Sequence, residues 1–154
     1  MVRFGVARSR WRFTVARWLM LGLGILPILV PLIEQLPRAR SLGVGMRWLY
    51  GLQCHQRMAR SLTLGGNHSF PVCARCLGIY CGLALCAWLL RPRWRQDLHK
   101  AWILIGVVLV TLDVATEWVG LRPESAALRF LTGANLAYAI GISALRALAP
   151  RRST

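Results

Sequence analysis

Three cysteines and a histidine lie close together in the first half of the chain. Cys54 and His55 are adjacent, and Cys73 and Cys76 form a Cys-x-x-Cys motif. Thiolates and imidazole are ligands for metals such as zinc, and thiolates are also redox-active. The motif opens an apolar run, where packing alone does not require two thiols. We therefore expect the function to depend on these four residues.

A metal site is the first of three interpretations. Cys54, His55, Cys73 and Cys76 would form a Cys3His donor set for zinc or another thiophilic metal ion. Side chains of adjacent residues in an extended segment point in opposite directions, so His68 is an alternative to His55.

Thiol–disulfide chemistry is the second interpretation. Cys73 and Cys76, with Cys54 as a further thiol, would lie at a helix N-terminus, where the helix dipole and Arg75 favour thiolate. This layout is similar to that of membrane enzymes that generate disulfides and pass electrons to quinone. The third interpretation is a structural disulfide on a scaffold or small transporter. Hydrolase and nucleotide-binding motifs are not found, and the chain is not assigned as an enzyme.

Long apolar runs predict the elements that position these residues. The 154-residue chain is 56% hydrophobic, with a mean hydropathy of +0.47. Such runs indicate an all-α, polytopic membrane protein, since about 20 apolar residues cross a bilayer. We predict a basic N-terminus over 1–17, one membrane domain over 18–148 and a basic tail over 149–154. Within the domain, four spans are expected, at about 18–33, 72–90, 101–119 and 128–148.

Two details of these elements are also predicted. Pro27 and Pro31 should kink or shorten the first span. An apolar segment over Leu42–Leu52 is too short to cross and should lie in the interface, and Pro71 should take the first helical position of the second span.

The placement of charge predicts the orientation. The net charge is +15, with 20 Lys and Arg residues. Positive residues favour the cytoplasmic side, and with both termini inside twelve fall there: Arg3, Arg8, Arg10, Arg12, Arg17, Arg91, Arg93, Arg95, Lys100, Arg146, Arg151 and Arg152. We therefore expect a multi-pass protein of a prokaryotic inner (plasma) membrane, with a retained signal anchor and extracytoplasmic thiols. Its partners would be anionic lipid headgroups rather than nucleic acid, with a homo-oligomer or another membrane subunit left open.

A polar cluster is predicted beside the thiols. Asp113 and Glu117 share one helical face of the third span, near its outer end. A carboxylate inside a span is usually paired or functional, so each would join an ion pair, bind metal, relay protons or orient His55. The other expected members are Arg60, Arg75, Arg129 and Asn135.

Other features have structural explanations. Cys81 and Cys86 should pack within the second span, and His99 should be solvated in an inner loop. Small residues at every fourth position should let the second and fourth spans approach closely, namely Ala74, Gly78, Gly82, Cys86, Gly133, Ala137 and Gly141.

The chain resembles a family of small prokaryotic membrane proteins, domain of unknown function 2085. The resemblance covers about Tyr50 to Gly141 and is carried by Cys54-His55-Gln56, Arg60-Ser61, Pro71-Val72-Cys73-Ala74-Arg75-Cys76, Gly78-Ile79-Tyr80, Gly82, Asp113, Glu124-Ser125, Leu128-Arg129 and Thr132-Gly133. It implies a polytopic membrane protein with a cysteine-rich site.

Overall fold

Five helices and one short hairpin make up the described part of the chain. The computed structural model describes residues 2–54, 61–64, 68–89, 96–121 and 123–149. In chain order the elements are α1 (Val2–Gln35), α2 (Arg40–Gly51), β1 (Thr63–Leu64), β2 (His68–Ser69), α3 (Ala74–Leu89), α4 (Gln96–Trp118) and α5 (Ala126–Leu148). The predicted all-α class is confirmed.

Three helices contain segments that are long and apolar enough to cross a bilayer. These segments are Trp11–Gln35, His99–Trp118 and Ala126–Leu148, while α3 is apolar but has only 16 residues. The chain therefore has the composition of a polytopic membrane protein, as predicted.

The first helix is longer than the sequence suggested. α1 continues through Pro27 and Pro31 to Gln35, so of the two expected effects of the prolines, a kink or an early end, the early end does not occur. Both rings are fully buried, where helix packing compensates for the lost backbone hydrogen bonds.

The closest packing in the bundle is between α3 and α5. A Cβ added at Gly78 or Gly82 would collide with the backbone of Phe130 or Ala134 on α5. The predicted small-residue faces therefore lie against each other. α1 covers another face of α3, and α4 packs on α5.

Helix α3 begins later than predicted. Its first residue is Ala74, and the Cys73 carbonyl accepts the Leu77 N–H at 2.9 Å. Pro71 therefore precedes the helix, and its predicted place at the first helical position is wrong. The reason is that the Cys73 N–H donates to Cys54 Sγ at 3.3 Å, which holds Cys73 as the cap.

His99 is buried, which contradicts the prediction of a solvated loop residue. Only 6% of its surface is exposed. α4 begins at Gln96, several residues before the predicted span, so His99 belongs to the helix and packs against α5.

Candidate metal centre

Cys54, Cys73 and Cys76 converge on one point. Their Sγ atoms all lie within 4.8 Å of one another, and none is in a disulfide. Cys54 follows α2, where its N–H donates to the Tyr50 carbonyl at 2.9 Å. Cys73 is the residue just before α3, and Cys76 lies in the first turn of this helix. The local structure thus gathers three of the four predicted ligands.

Two features of the backbone near the sulfurs favour a thiolate. Cys54 Sγ accepts the Cys73 N–H, the kind of bond that stabilises a sulfur anion. Cys73 lies just before α3, where the helix dipole favours an anion. Burial raises the pKa of the nearby Tyr50 to about 12. At neutral pH the phenol is therefore no anionic ligand, and the soft donors here are the sulfurs.

An apolar shell surrounds the cysteines. Val30 of α1, Phe70 and Leu77 are buried in the same cluster as Cys54. The rings of Tyr50 and Tyr80 pack in a T-shaped arrangement, with centroids 5.7 Å apart. This shell limits the access of water, which strengthens any charge interaction at the sulfurs.

Arg47 of α2 connects this helix to α1 and to strand β2, next to the apolar shell. Its Nε and Nη2 donate to the two carboxylate oxygens of Glu34, each at 2.7 Å. Nη2 also donates to the Ser69 carbonyl at 2.8 Å, which ties strand β2 to α1 and α2. The sequence did not predict this clamp, because it placed Arg47 in an interfacial segment and nothing in the spacing pairs it with Glu34 at the end of α1.

The remaining predicted ligand, His55, lies outside the described residues, and so does Arg60 of the predicted polar cluster. The side chain of the alternative ligand His68 is also outside the described part of the chain. Cys86 is buried against Gly141 and Ile142, as expected of a packing residue. Cys81 packs at the edge of the apolar shell.

A chain of ion pairs between α3, α4 and α5 joins four members of the predicted polar cluster, Arg75, Asp113, Glu117 and Arg129. Arg75 Nη2 lies 2.5 Å from Asp113 Oδ2 and 3.7 Å from Glu117 Oε2. Arg129 pairs with Glu117 in turn, and its Nη2 lies 3.3 Å from Glu124. Asp113 and Arg129 are both 4% exposed. Asp113 therefore has a cationic partner, which is Arg75.

The link from this cluster to the sulfurs runs through the backbone. Arg75 lies between Cys73 and Cys76 in the sequence, so the residue that pairs with Asp113 also belongs to the Cys-x-x-Cys turn. Asn135 has a different partner, because its Oδ1 accepts the Trp102 indole N–H at 2.8 Å. It belongs to the α4–α5 contact rather than to the ion pairs.

Comparison with known proteins agrees with this picture. The model of the family described as "Predicted membrane protein (DUF2085)" matches residues 54–143. An uncharacterized protein of Methanocaldococcus jannaschii is 37% identical over 90 residues, which are 55% of this chain and 56% of that protein. An uncharacterized protein of Methanothermobacter thermautotrophicus is 36% identical over 108 residues, or 66% of this chain and 89% of that protein. No solved structure matches. The matched segment contains the three converging cysteines and the ion pairs, and the chain belongs to the DUF2085 family of predicted membrane proteins.

Proposed function

We propose that this protein is a four-span membrane protein of a prokaryotic plasma membrane with a metal site on its extracytoplasmic side. Cys54, Cys73 and Cys76 would be three ligands and His55 the fourth, and zinc suits this donor set best. The observation that carries the proposal is the convergence of three sulfurs within 4.8 Å.

The spacing of the sulfurs suits a tetrahedral thiolate site. Zinc–sulfur bonds of about 2.3 Å separate neighbouring sulfurs by about 3.8 Å. Side-chain movements of about 1 Å would therefore suffice to bring these three sulfurs onto one ion. The Cys73 N–H that donates to Cys54 Sγ would orient that ligand from outside the first coordination shell.

The site would connect two parts of the chain that are far apart in sequence. Cys54 ends the α2 segment, while Cys73 and Cys76 begin α3. A bound metal would fasten the connection between them, including the hairpin, to the start of α3. A site with four protein ligands would have this stabilising role rather than an open catalytic position.

Metal analysis of the purified protein, together with a count of free thiols, tests the proposal. We expect about one metal ion per chain, and loss of that metal in Cys73→Ser and in Cys76→Ser, because each removes a main ligand. Cys81→Ala is the matched control, since it changes another cysteine of α3 that lies outside the trio. Equal loss in all three variants would indicate a folding defect and contradict the assignment.

A quinone-linked thiol–disulfide oxidoreductase is the second candidate. It is favoured by the position of Cys73 at the start of α3, where the helix dipole favours a thiolate. In that case the purified protein would lack metal, and Cys73 and Cys76 would form a disulfide, passing two electrons to the quinone. A disulfide that never cycles would instead support a stapled scaffold or transporter.

A further inference from the structure

The charged residues that bound the apolar parts of α1, α4 and α5 have the same spacing. The pairs are Arg17 and Glu34, Lys100 and Glu117, and Arg129 and Arg146, and in each pair the residue numbers differ by 17. At about 1.5 Å per residue, each pair is separated by about 25 Å along its helix. Asp113 is the one charged residue of the sequence inside these three stretches, and it is buried against Arg75.

Contacts between the helices bring the cysteine-proximal ends of these stretches to one level. Arg129 at the start of α5 pairs with Glu117 near the end of α4. Arg75 at the start of α3 lies 2.5 Å from Asp113, one turn before Glu117. The apolar parts of α3, α4 and α5 therefore have a common edge on this side.

The opposite ends are also level with one another. His99, the neighbour of Lys100, has its Nε2 2.7 Å from Ser143 Oγ on α5. Arg17 Nε of α1 donates to the Ala87 carbonyl in the last turn of α3 at 3.0 Å. The four stretches thus lie side by side and form one apolar belt about 25 Å high, which comprises residues 18–33, 76–89, 101–116 and 130–145.

Two of the bounding cations are held at the edges of the belt. A long cationic side chain can lengthen an apolar stretch when its charged group extends away from that stretch. The Arg17 guanidinium is bound to the Ala87 carbonyl, and the buried Arg129 guanidinium is bound to Glu117. These side chains therefore mark the height of the belt and do not increase it.

Exposed tryptophans lie at both edges of the belt. Trp18 and Trp88 directly follow the two residues of the Arg17 contact, at the edge away from the cysteines. Trp118 directly follows Glu117 at the other edge. Each of the three is at least 67% exposed, and tryptophan is enriched at the level of the lipid headgroups. Between the edges, exposed aliphatic side chains cover the surface, among them Leu19, Leu23, Leu29, Leu104, Val108 and Leu112.

We propose that the apolar belt contacts a shell of bilayer lipid about 25 Å thick, and therefore binds phospholipids with short acyl chains in preference to those with long chains. The hydrocarbon of a typical bilayer is about 30 Å thick, so long chains must be compressed where they meet the belt. Tilting of the helices lowers the height of the belt further and strengthens the preference. This proposal concerns the lipid-facing surface and does not depend on the metal site.

Quenching of tryptophan fluorescence by a brominated phospholipid tests the proposal on the full-length protein, because several tryptophans are exposed. Brominated dioleoylphosphatidylcholine competes in turn with dimyristoleoyl-, dioleoyl- and dierucoylphosphatidylcholine, whose chains increase in length and share one headgroup. We expect the dimyristoleoyl lipid to bind about threefold more strongly than the dierucoyl lipid, with the dioleoyl lipid between them. Strongest binding of the dioleoyl lipid, or equal binding of all three, would overturn the proposal.

Arg17→Leu tests whether the height of the belt causes the preference. This substitution extends the uncharged stretch of α1 to residues 13–33, which span about 30 Å, and should reduce the preference for short chains by about half. Loss of the hydrogen bond to Ala87 affects stability in every lipid alike, so a comparison between lipids within one variant is not altered by it.

Arg12→Leu is the matched control, because it removes the same charge from an exposed position of α1 and leaves Arg17 at the edge of the belt. It should keep the preference of the parent protein. An unchanged preference in Arg17→Leu, or an equal reduction in both variants, would overturn the proposal.

Discussion

At the residue scale, the contact between Arg75 and Asp113 connects the cysteine turn to the rest of the bundle. The Asp113 side chain is 2% exposed, whereas 26% of the Arg75 side chain is accessible. The carboxylate therefore depends on its cation more than the cation depends on the carboxylate, since Arg75 also lies 3.7 Å from Glu117. The two partners should respond unequally to substitution.

Arg75→Gln should destabilise the protein by about 3 kcal/mol, because it leaves a buried carboxylate without its closest cation. Asp113→Asn should cost about 1 kcal/mol, as Arg75 retains Glu117 and partial solvation. The double variant should be more stable than the sum of the single losses predicts. Denaturation in detergent measures all three, and Arg40→Gln, at an exposed position, is the control. Equal losses from the two single variants would contradict the asymmetry.

The sequence indicated most of the charged residues in these ion pairs, but it did not determine which residue pairs with which. Two carboxylates four residues apart in an apolar helix predict a shared face and a need for cations. Whether Asp113 meets Arg75 or Arg129 depends on the rotation of α4 about its axis, which periodicity alone does not determine. Asn135 was assigned to the cluster from chain position alone, and it faces Trp102 instead.

At the scale of elements, the α3–α5 contact depends on residues without side chains. A Cβ at Gly82 would lie 3.0 Å from the Ala134 Cα, and backbone cannot move aside as a side chain can. Gly82→Ala should therefore destabilise the bundle by about 2 kcal/mol. Gly22→Ala in α1 is the control, because nothing lies within 4 Å of its added Cβ. Thermal unfolding of both variants checks this, and a loss of equal size at Gly22 would refute the close contact.

The Arg47 clamp connects an element to the proposed metal site. Arg47→Met removes the hydrogen bonds to Glu34 and Ser69, so the hairpin and the connection behind Cys54 should loosen. We expect unchanged metal content but a faster loss of metal to a chelator, by about tenfold. Arg40→Met on the same helix is the control, since Arg40 is exposed. Identical release rates for Arg47→Met and the parent would show that the clamp does not support the site.

Small-residue spacing made the α3–α5 contact predictable, because close helix approach has a simple period. The residues at which the helices begin and end were harder to predict. α1 passes through two prolines because packing in the bundle overrides their local preference. α3 starts at Ala74 rather than Pro71 because a sulfur holds the cap, a contact between residues 19 positions apart.

At the scale of the whole molecule, the number of membrane passes depends on α3. Its 16 residues span about 24 Å, less than the roughly 30 Å of hydrocarbon. It is packed between α1 and α5, and the residues that precede it, Phe70 to Val72, are buried as well. Backbone that is covered by protein can complete a crossing where a lipid-exposed helix of this length cannot.

The distribution of charge favours that crossing. If α3 crosses, the basic link before α4 lies on the same side as the basic N-terminus, as the positive-inside bias requires. If it does not, this link lies on the opposite side. We therefore expect alkaline phosphatase to be active when fused after Gly66 and inactive when fused after Lys100, and a green fluorescent protein fused after Thr154 to fluoresce. Active phosphatase at both positions would mean that α3 does not cross, and the proposed orientation of the cysteines relative to the C-terminus would fail with it.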